Sequence, residues 1–157
     1  MPAALAIVEV QTVAEIEAVR ALFLAYRENL FSKCQMPDEE WQSLPGKYAP
    51  PDGGLLLAIV AGSPAGCVAL RSFPQEHTCE MKRLYVLPGF RGHNVGRGLV
   101  TAVLDLGRRL GYQRMRLDTH PATMAAAVEL YRQFGFVEVT PAPVLPAEGL
   151  MYMETQL

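Results

Sequence analysis

The residues with the types and spacing for chemistry gather around one loop, Arg91-Gly92-His93-Asn94-Val95-Gly96-Arg97-Gly98. An alternating run, Glu80 to Val86, leads into it, and Leu87-Pro88-Gly89 breaks that strand pattern. From Leu99 the period becomes helical, with Leu99, Val103, Leu106 and Leu110 on one face. A strand, a glycine-rich turn and a helix N-terminus together build an anion site. The first N–H groups of a helix have no internal partner and lie at the positive end of its dipole. Glycines keep Cβ atoms away from those donors and tolerate positive φ. Arg91 and Arg97 add charge nearby, so the segment reads as a pyrophosphate cradle.

The rest of the chain must position this loop. Its 157 residues predict a single domain, 1–157, with a full hydrophobic core. Net charge is −2, which argues against a general nucleic-acid binder. Between Lys82 and Arg116, eight basic residues face one acid, Asp105, so that segment carries +7 and the remainder −9. A basic middle in an acidic chain suits a compact polyanion. Arg108, Arg109, Arg114 and Arg116 also fit solvent positions around a helix C-terminus, where cations are favoured. The longest apolar run, Leu55 to Ala61, is too short to span a bilayer, and the N-terminus lacks a secretory pattern, so a cytoplasmic protein is expected. Three cysteines, Cys34, Cys67 and Cys79, without CxxC spacing predict neither a disulfide framework nor a zinc site.

Taken in order, Leu5 to Val10 reads as a strand. Thr12 to about Phe31 reads as a helix with Ile16, Val19, Leu22, Phe23, Tyr26 and Leu30 on one side and a Thr12/Glu15 capping box. Pro37 to Ser43 predicts a short helix carrying Trp41, and prolines and glycines make Leu44 to Gly54 irregular. Leu55 to Ala61 and Ala65 to Phe73 predict strands joined at Gly62-Ser63-Pro64. Beyond the cradle helix come a parallel strand, Met115 to Asp118, and a helix from Pro121 stopped by Gly135. Two strands, Phe136 to Val139 and Leu150 to Thr155, close the chain around a proline-rich loop, Pro141 to Pro146. This order makes a mixed α/β sheet with helices on both faces. A Walker A loop, a Rossmann fingerprint and a Gly-x-Ser-x-Gly elbow are all missing from it. Alternation splits the His77-Thr78-Cys79-Glu80 cluster between two faces, so no metal is expected there.

The order and two motifs resemble the GNAT N-acetyltransferase superfamily. Arg91-x-x-Asn94-x-Gly96 is similar to its acetyl-CoA signature, with Asn94 replacing a glycine; asparagine is the best non-glycine residue for a left-handed backbone. Ala127-x-x-Leu130-Tyr131-x-x-x-Gly135-Phe136 matches its second hallmark, and Met124 stands where an asparagine commonly reaches the pantetheine arm. The resemblance implies a mostly antiparallel sheet of six to seven strands whose fourth and fifth members splay apart around acetyl-CoA. It implies cofactor contacts from Leu84, Tyr85, Val86, Arg91, Gly92, His93, Asn94, Val95, Gly96, Arg97, Gly98, Met124 and Tyr131. A backbone N–H, that of Val86, would steady the thioester oxygen.

The same resemblance implies direct attack of an amine on the thioester. Glu80, eleven residues before Arg91, stands where some members hold a general base; an ion pair with Lys82 or Arg71 is the other reading. Tyr131 aligns with the family's tyrosine acid, and a phenol, which ordinarily titrates near ~10, can protonate a departing thiolate, whose thiol titrates near ~8.5. Its other reading is a core aromatic. Tyr48 and Tyr152 are expected to wall the acceptor pocket. The ten acids and five bases of residues 1 to 80 favour a cationic amine there. The expected function is acetyl transfer from acetyl-CoA to a small-molecule primary amine, without nucleic acid, membrane or metal, by a monomer or homodimer. A non-catalytic CoA-binding module and a structural partner protein are the alternatives.

Overall fold

The predicted capping box opens the first helix. Thr12 Oγ1 accepts the Glu15 N–H at 3.1 Å, and Glu15 Oε1 accepts the N–H groups of Gln11 and Thr12 at 2.8 and 3.0 Å. Those backbone bonds, Gln11's first, hold the Glu15 carboxyl below its ordinary range. The computed structural model describes residues 4–30 and 36–157; Phe31, Cys34 and the Leu30 side chain lie outside the described residues. The order is β1 (Leu5–Glu9), α1 (Val13–Leu30), α2 (Asp38–Gln42), β2 (Gly54–Val60), β3 (Ser63–Ser72), β4 (Thr78–Val86), α3 (Val95–Arg109), β5 (Arg114–Thr119), α4 (Ala125–Gln133), β6 (Val137–Val139) and β7 (Met151–Gln156).

Three boundaries differ from expectation. Val60 pairs directly with Ser63, so the β2–β3 turn is only Ala61-Gly62, both at positive φ as a two-residue hairpin turn requires. Helix α4 begins at Ala125 rather than Pro121. The His120 carbonyl first accepts the N–H groups of Thr123 and Met124, at 3.1 and 2.9 Å, and spends that stretch on a turn. Leu110 caps α3 and is 37% exposed, whereas Leu99, Val103 and Leu106 are buried as their spacing demands.

The seven strands lie in the order β1-β2-β3-β4-β5-β7-β6, and every pairing is antiparallel except β4 with β5, which α3 links by a crossover. Each face carries its own core. Against α3 and α4 lie Leu56, Val68, Met81, Met115 and Met153. Under α1 lie Leu57, Cys67 and Tyr85, with Val19, Phe23 and Tyr48.

One irregularity in β4 decides what faces where. Lys82 pairs with Ala69 and Tyr85 with Cys67, so Arg83 and Leu84 together oppose Val68. This β-bulge puts Arg83 at φ 58 and resets the alternation. Cys79 and Met81 face α3, but beyond the bulge Leu84 and Val86 take that side and Tyr85 crosses to the α1 core. Several contacts hold Arg83 in its left-handed conformation. Its Nε and Nη2 donate to Glu40 Oε2 and Oε1 at 2.6 and 3.0 Å, its carbonyl accepts the Cys67 thiol at 3.6 Å, and its guanidinium lies 5.7 Å from the Tyr26 ring centre. Glu40 also takes Lys47 Nζ and the Tyr48 hydroxyl, each at 3.0 Å. Burial pushes the Glu40 carboxyl up, but Arg83 and Lys47 outweigh it and hold the group at about 2.

Replacing Glu40 with Gln should cost about 3–5 kcal/mol, because it leaves the Arg83 charge buried without its counter-ion; urea unfolding at pH 7 measures this. The depressed folded pKa makes the carboxylate's contribution complete above its ordinary 4.5 and progressively lost as pH falls toward about 2, so the variant should lack that part of the acid-unfolding slope. A Cβ at Gly66 would stand 2.6 Å from the Tyr85 carbonyl oxygen and 3.1 Å from Leu99 Cδ1. Gly66→Ala should therefore destabilise by about 1–3 kcal/mol and lower Tm by several degrees.

Candidate active site

Pairing between β4 and β5 ends early. It runs through Thr78–Arg114, Cys79–Met115 and Glu80–Arg116, after which the strands part. Both stay paired on their other sides, β4 with β3 as far as Val86 and β5 with β7 as far as Thr119. The edge of β4 beyond Glu80 therefore opens into a cleft of about 630 Å³ between the sheet, α3 and α4. Leu87 N–H donates to the Ala65 carbonyl at 2.9 Å, and polar groups alternate sides along a strand, so those of Val86 point away from β3 into the cleft. The Val86 carbonyl accepts Arg91 Nε at 3.1 Å, which leaves its N–H as a donor at the opening.

The glycine-rich loop closes one end of the cleft. Gly92 and Asn94 both have positive φ, 83 and 62, so asparagine carries the turn where the signature has glycine. The first bond of α3 runs from Gly98 N–H to the Asn94 carbonyl at 3.0 Å, which leaves the N–H groups of Val95, Gly96 and Arg97 directed out of the helix end. A Cβ built on Gly92 would meet nothing within 4 Å, so a phosphate has room there. The cradle, the free strand edge and the cleft together fit the diphosphate and pantetheine arm of CoA.

The expected cofactor residues Leu84, Tyr85, Val86, Arg91, Gly92, Asn94, Val95, Gly96, Arg97 and Met124 all line the cleft. Two do not. The Gly98 N–H is committed inside the helix, and a Cβ there would lie 3.0 Å from Leu5 and Ile7, so its smallness lets β1 pack on α3. His93 is exposed and away from the cleft wall. Arg97 braces α3 against α4, donating to Gln133 Oε1 with its guanidinium 5.4 Å from the Phe134 ring centre. Sequence reading missed Phe90, Ala127, Leu130 and Gln133 as lining residues. The helical period of α4 is the signal that gathers the last three.

Tyr131 follows Leu130 of the wall but is itself 5% exposed, its ring edge-on to Phe136 at 5.8 Å. Burial, then the neighbouring Tyr26 phenol and Asp118 carboxylate, push its hydroxyl pKa up. Glu80 lies on the opposite, α1 face, its side chain 12% exposed, with Arg71 Nε 3.9 Å away. Lys82 pairs instead with Asp118, at 3.5 Å across the parting strands. Burial raises the Glu80 pKa, with Asp118 adding to the shift and Lys82, Arg71 and Lys47 opposing it. Asp118 thus acts on both Tyr131 and Glu80. Sequence reading passed it over, and its register two residues beyond the last β4–β5 pair is the signal that could have found it.

The two expected wall tyrosines are buried. Tyr48 is 1% exposed in the core under α1, with its hydroxyl committed to Glu40; Tyr152 is 8% exposed, and its hydroxyl accepts the Ala147 N–H at 2.9 Å. Neither lines the CoA cleft; Tyr48 borders a separate cavity of about 520 Å³ with Pro45, Pro50 and Ile16, and Tyr152 ties down the loop at Ala147. Arg116 is likewise no solvent cation. It is 4% exposed, donates to the carbonyls of Ala142 and Thr140 at 2.6 and 2.7 Å, and stacks 4.9 Å from the Phe73 ring centre. Its signal was the strand alternation that sets it beside Glu80.

Comparison with known proteins agrees with this architecture. Residues 16–136 match the model of the Acetyltransferase (GNAT) family. An uncharacterised N-acetyltransferase of Schizosaccharomyces pombe is 40% identical over 124 residues, covering 78% of this chain and 76% of that one. A GNAT-family acetyltransferase from Staphylococcus aureus Mu50 superposes with a TM-score of 0.81 at 19% identity, over 98% of this chain and 99% of that one. The Salmonella typhimurium acetyltransferase yncA, solved with its cofactor acetyl-CoA, gives a TM-score of 0.71 at 20% identity, over 98% and 94% of the two chains. The parted strands, the cradle at the α3 N-terminus and these matches lead to one identification: the chain belongs to the GNAT family and is an N-acetyltransferase.

Proposed function

We propose that this enzyme moves an acetyl group from acetyl-CoA to the primary amine of a small molecule, by direct attack with both reactants bound. One observation carries the reading: the free edge of β4 and the unpartnered N–H groups of α3 converge on a single cleft. Acetyl-CoA, when bound, supplies a thioester-activated acetyl group. The helix end and Arg91 would hold its diphosphate, and the β4 edge would pair with its arm as a strand does.

Each protein group then has a task set by its place. The Val86 N–H donates toward a carbonyl oxygen that gains negative charge. Glu80, on the α1 face, takes a proton from the acceptor ammonium, directly or through water, and its raised pKa strengthens it as a base. Tyr131, on the α4 face, stays protonated because its pKa is raised, and so can deliver a proton to departing sulfur. The enzyme acts in the cytoplasm as one domain, alone or as a homodimer. The non-catalytic module loses support, since Asn94 keeps the turn that the missing glycine had put in question.

Thiol release with an amine panel, beside calorimetric titration of CoA, tests the function; CoA binding without thiol release would leave only the non-catalytic module. Tyr131→Phe should cut kcat by about 10²-fold or more while CoA affinity stays within about threefold, and unchanged turnover would remove the residue from the mechanism. In the parent enzyme kcat/KM should rise with pH along an acid limb set above the ordinary carboxylate range, because only deprotonated Glu80 serves. Glu80→Gln should lower the plateau and abolish that limb; a limb that persists would assign the base elsewhere.

A further inference from the structure

Beside Glu80, on the α1 face, charged side chains from several elements meet in one patch. Lys82 of β4 reaches Asp118 of β5 at 3.5 Å, where the strands have just stopped pairing. Arg71 of β3 stands 3.9 Å from Glu80. Lys47 stands 3.0 Å from Glu40, whose two oxygens Arg83 already holds. The charges of Lys82, Asp118, Arg71 and Lys47 all act on the Glu80 carboxyl. Arg116 lies near but is committed to the carbonyls of Thr140 and Ala142.

This patch is unbalanced in two ways. Glu40 answers two cations with one negative charge, so Lys47, whose side chain is 40% exposed, presents surplus positive charge. The Lys82–Asp118 pair also stands two residues beyond Glu80 and Arg116, at the opening where β4 and β5 part, which is where an amine must pass to reach Glu80. An incoming ammonium group competes with Lys82 for Asp118. An acceptor bearing only that charge would leave Lys82, 17% exposed, facing only Glu80, the group that must take up the amine's proton. An acceptor that also carries a carboxylate exchanges one pair for two. The acids that had favoured a cationic amine do not alter this: Glu9, Glu17, Glu28, Asp38, Glu39, Asp52 and Glu76 are exposed and dispersed.

We propose that the acceptor is a small amine that itself bears a carboxylate, an amino acid or close analogue, with Asp118 receiving its ammonium group and Lys82, assisted by Lys47, its carboxylate. The inference rests on the acetyl-transfer reading above. Its test is thiol release with matched trios, in which alanine, phenylalanine, methionine and lysine are each offered as the free acid, the α-carboxamide and the decarboxylated amine. The carboxamide has the less basic amine, so more of it is unprotonated at neutral pH, and an acid preference cannot arise from that.

For the best side chain, kcat/KM for the acid should exceed that for the carboxamide by at least about 10-fold. Lys82→Gln and Lys47→Gln should each shrink that ratio, chiefly through KM for the acid, with CoA affinity confirming that both variants fold. Carboxamides or decarboxylated amines used as well as the acids, or a ratio unchanged in both variants, would overturn the acceptor class and leave acetyl transfer standing. No thiol release from any amine would overturn both.

Discussion

The sheet has a free backbone edge in its interior, where β4 and β5 stop sharing hydrogen bonds beyond Glu80 and Arg116. Unpaired strand groups normally lie at a sheet's margin, because buried N–H and C=O groups without partners are costly. Here the opening is sustained because each strand remains bonded on its far side, β4 to β3 and β5 to β7. The bulge at Arg83 supplies the local bend, and the bidentate Glu40 pair holds that residue in a conformation it would not choose alone. A bound arm that offers amide groups at strand spacing completes the sheet.

Two glutamates show how the same side chain is turned to different ends. Glu40 is enclosed by donors from Arg83, Lys47 and Tyr48, so its negative charge is stabilised and its carboxyl is held down at about 2. Glu80 is also buried but has only a long contact to Arg71, while its neighbour Lys82 is turned to Asp118, so its proton affinity rises. The first arrangement serves geometry by fixing the bulge. The second gives up stability at neutral pH, because a raised folded pKa means the charged form is the less favoured one, and it leaves a carboxylate with greater affinity for a proton.

What the sequence made legible was local. The capping box, the helical period of α3 and the positive-φ demand at Gly92 and Asn94 each involve residues within a few positions, so residue types alone carry them. Pairings between distant elements were not legible. Strict alternation from Glu80 would put Tyr85 under α3, yet the one extra residue in β4 sends it to the α1 core, and nothing in Arg83-Leu84 announces a bulge. Arg116 looked like a solvent cation because the loop that covers it lies more than twenty positions on, and the burial of the Tyr48 hydroxyl against Glu40 was not legible because the two meet only once α2 packs. Asp118 was hidden for a further reason: its importance depends on where a parallel register ends.

The placement of acid and base bears on how transfer proceeds. When an amine attacks a thioester directly, the nucleophile arrives on one side while sulfur must leave toward another, so the two proton-handling groups have to be separated. A slot cut through a sheet would provide that separation for the proposed pair, since Glu80 belongs to the α1 face and Tyr131 to the core against α3 and α4. A covalent route through cysteine would need a thiolate within reach instead. Among the described residues the cysteines are Cys67 and Cys79, both buried. Burial alone pushes the Cys67 thiol up, and burial first of all raises Cys79 to about 12, so neither ionises near neutral pH. Cys67 is further occupied in supporting the Arg83 carbonyl. Both of these sulfurs are spent on packing, and in the direct route proposed above a charged patch around Glu80 can govern the choice of amine.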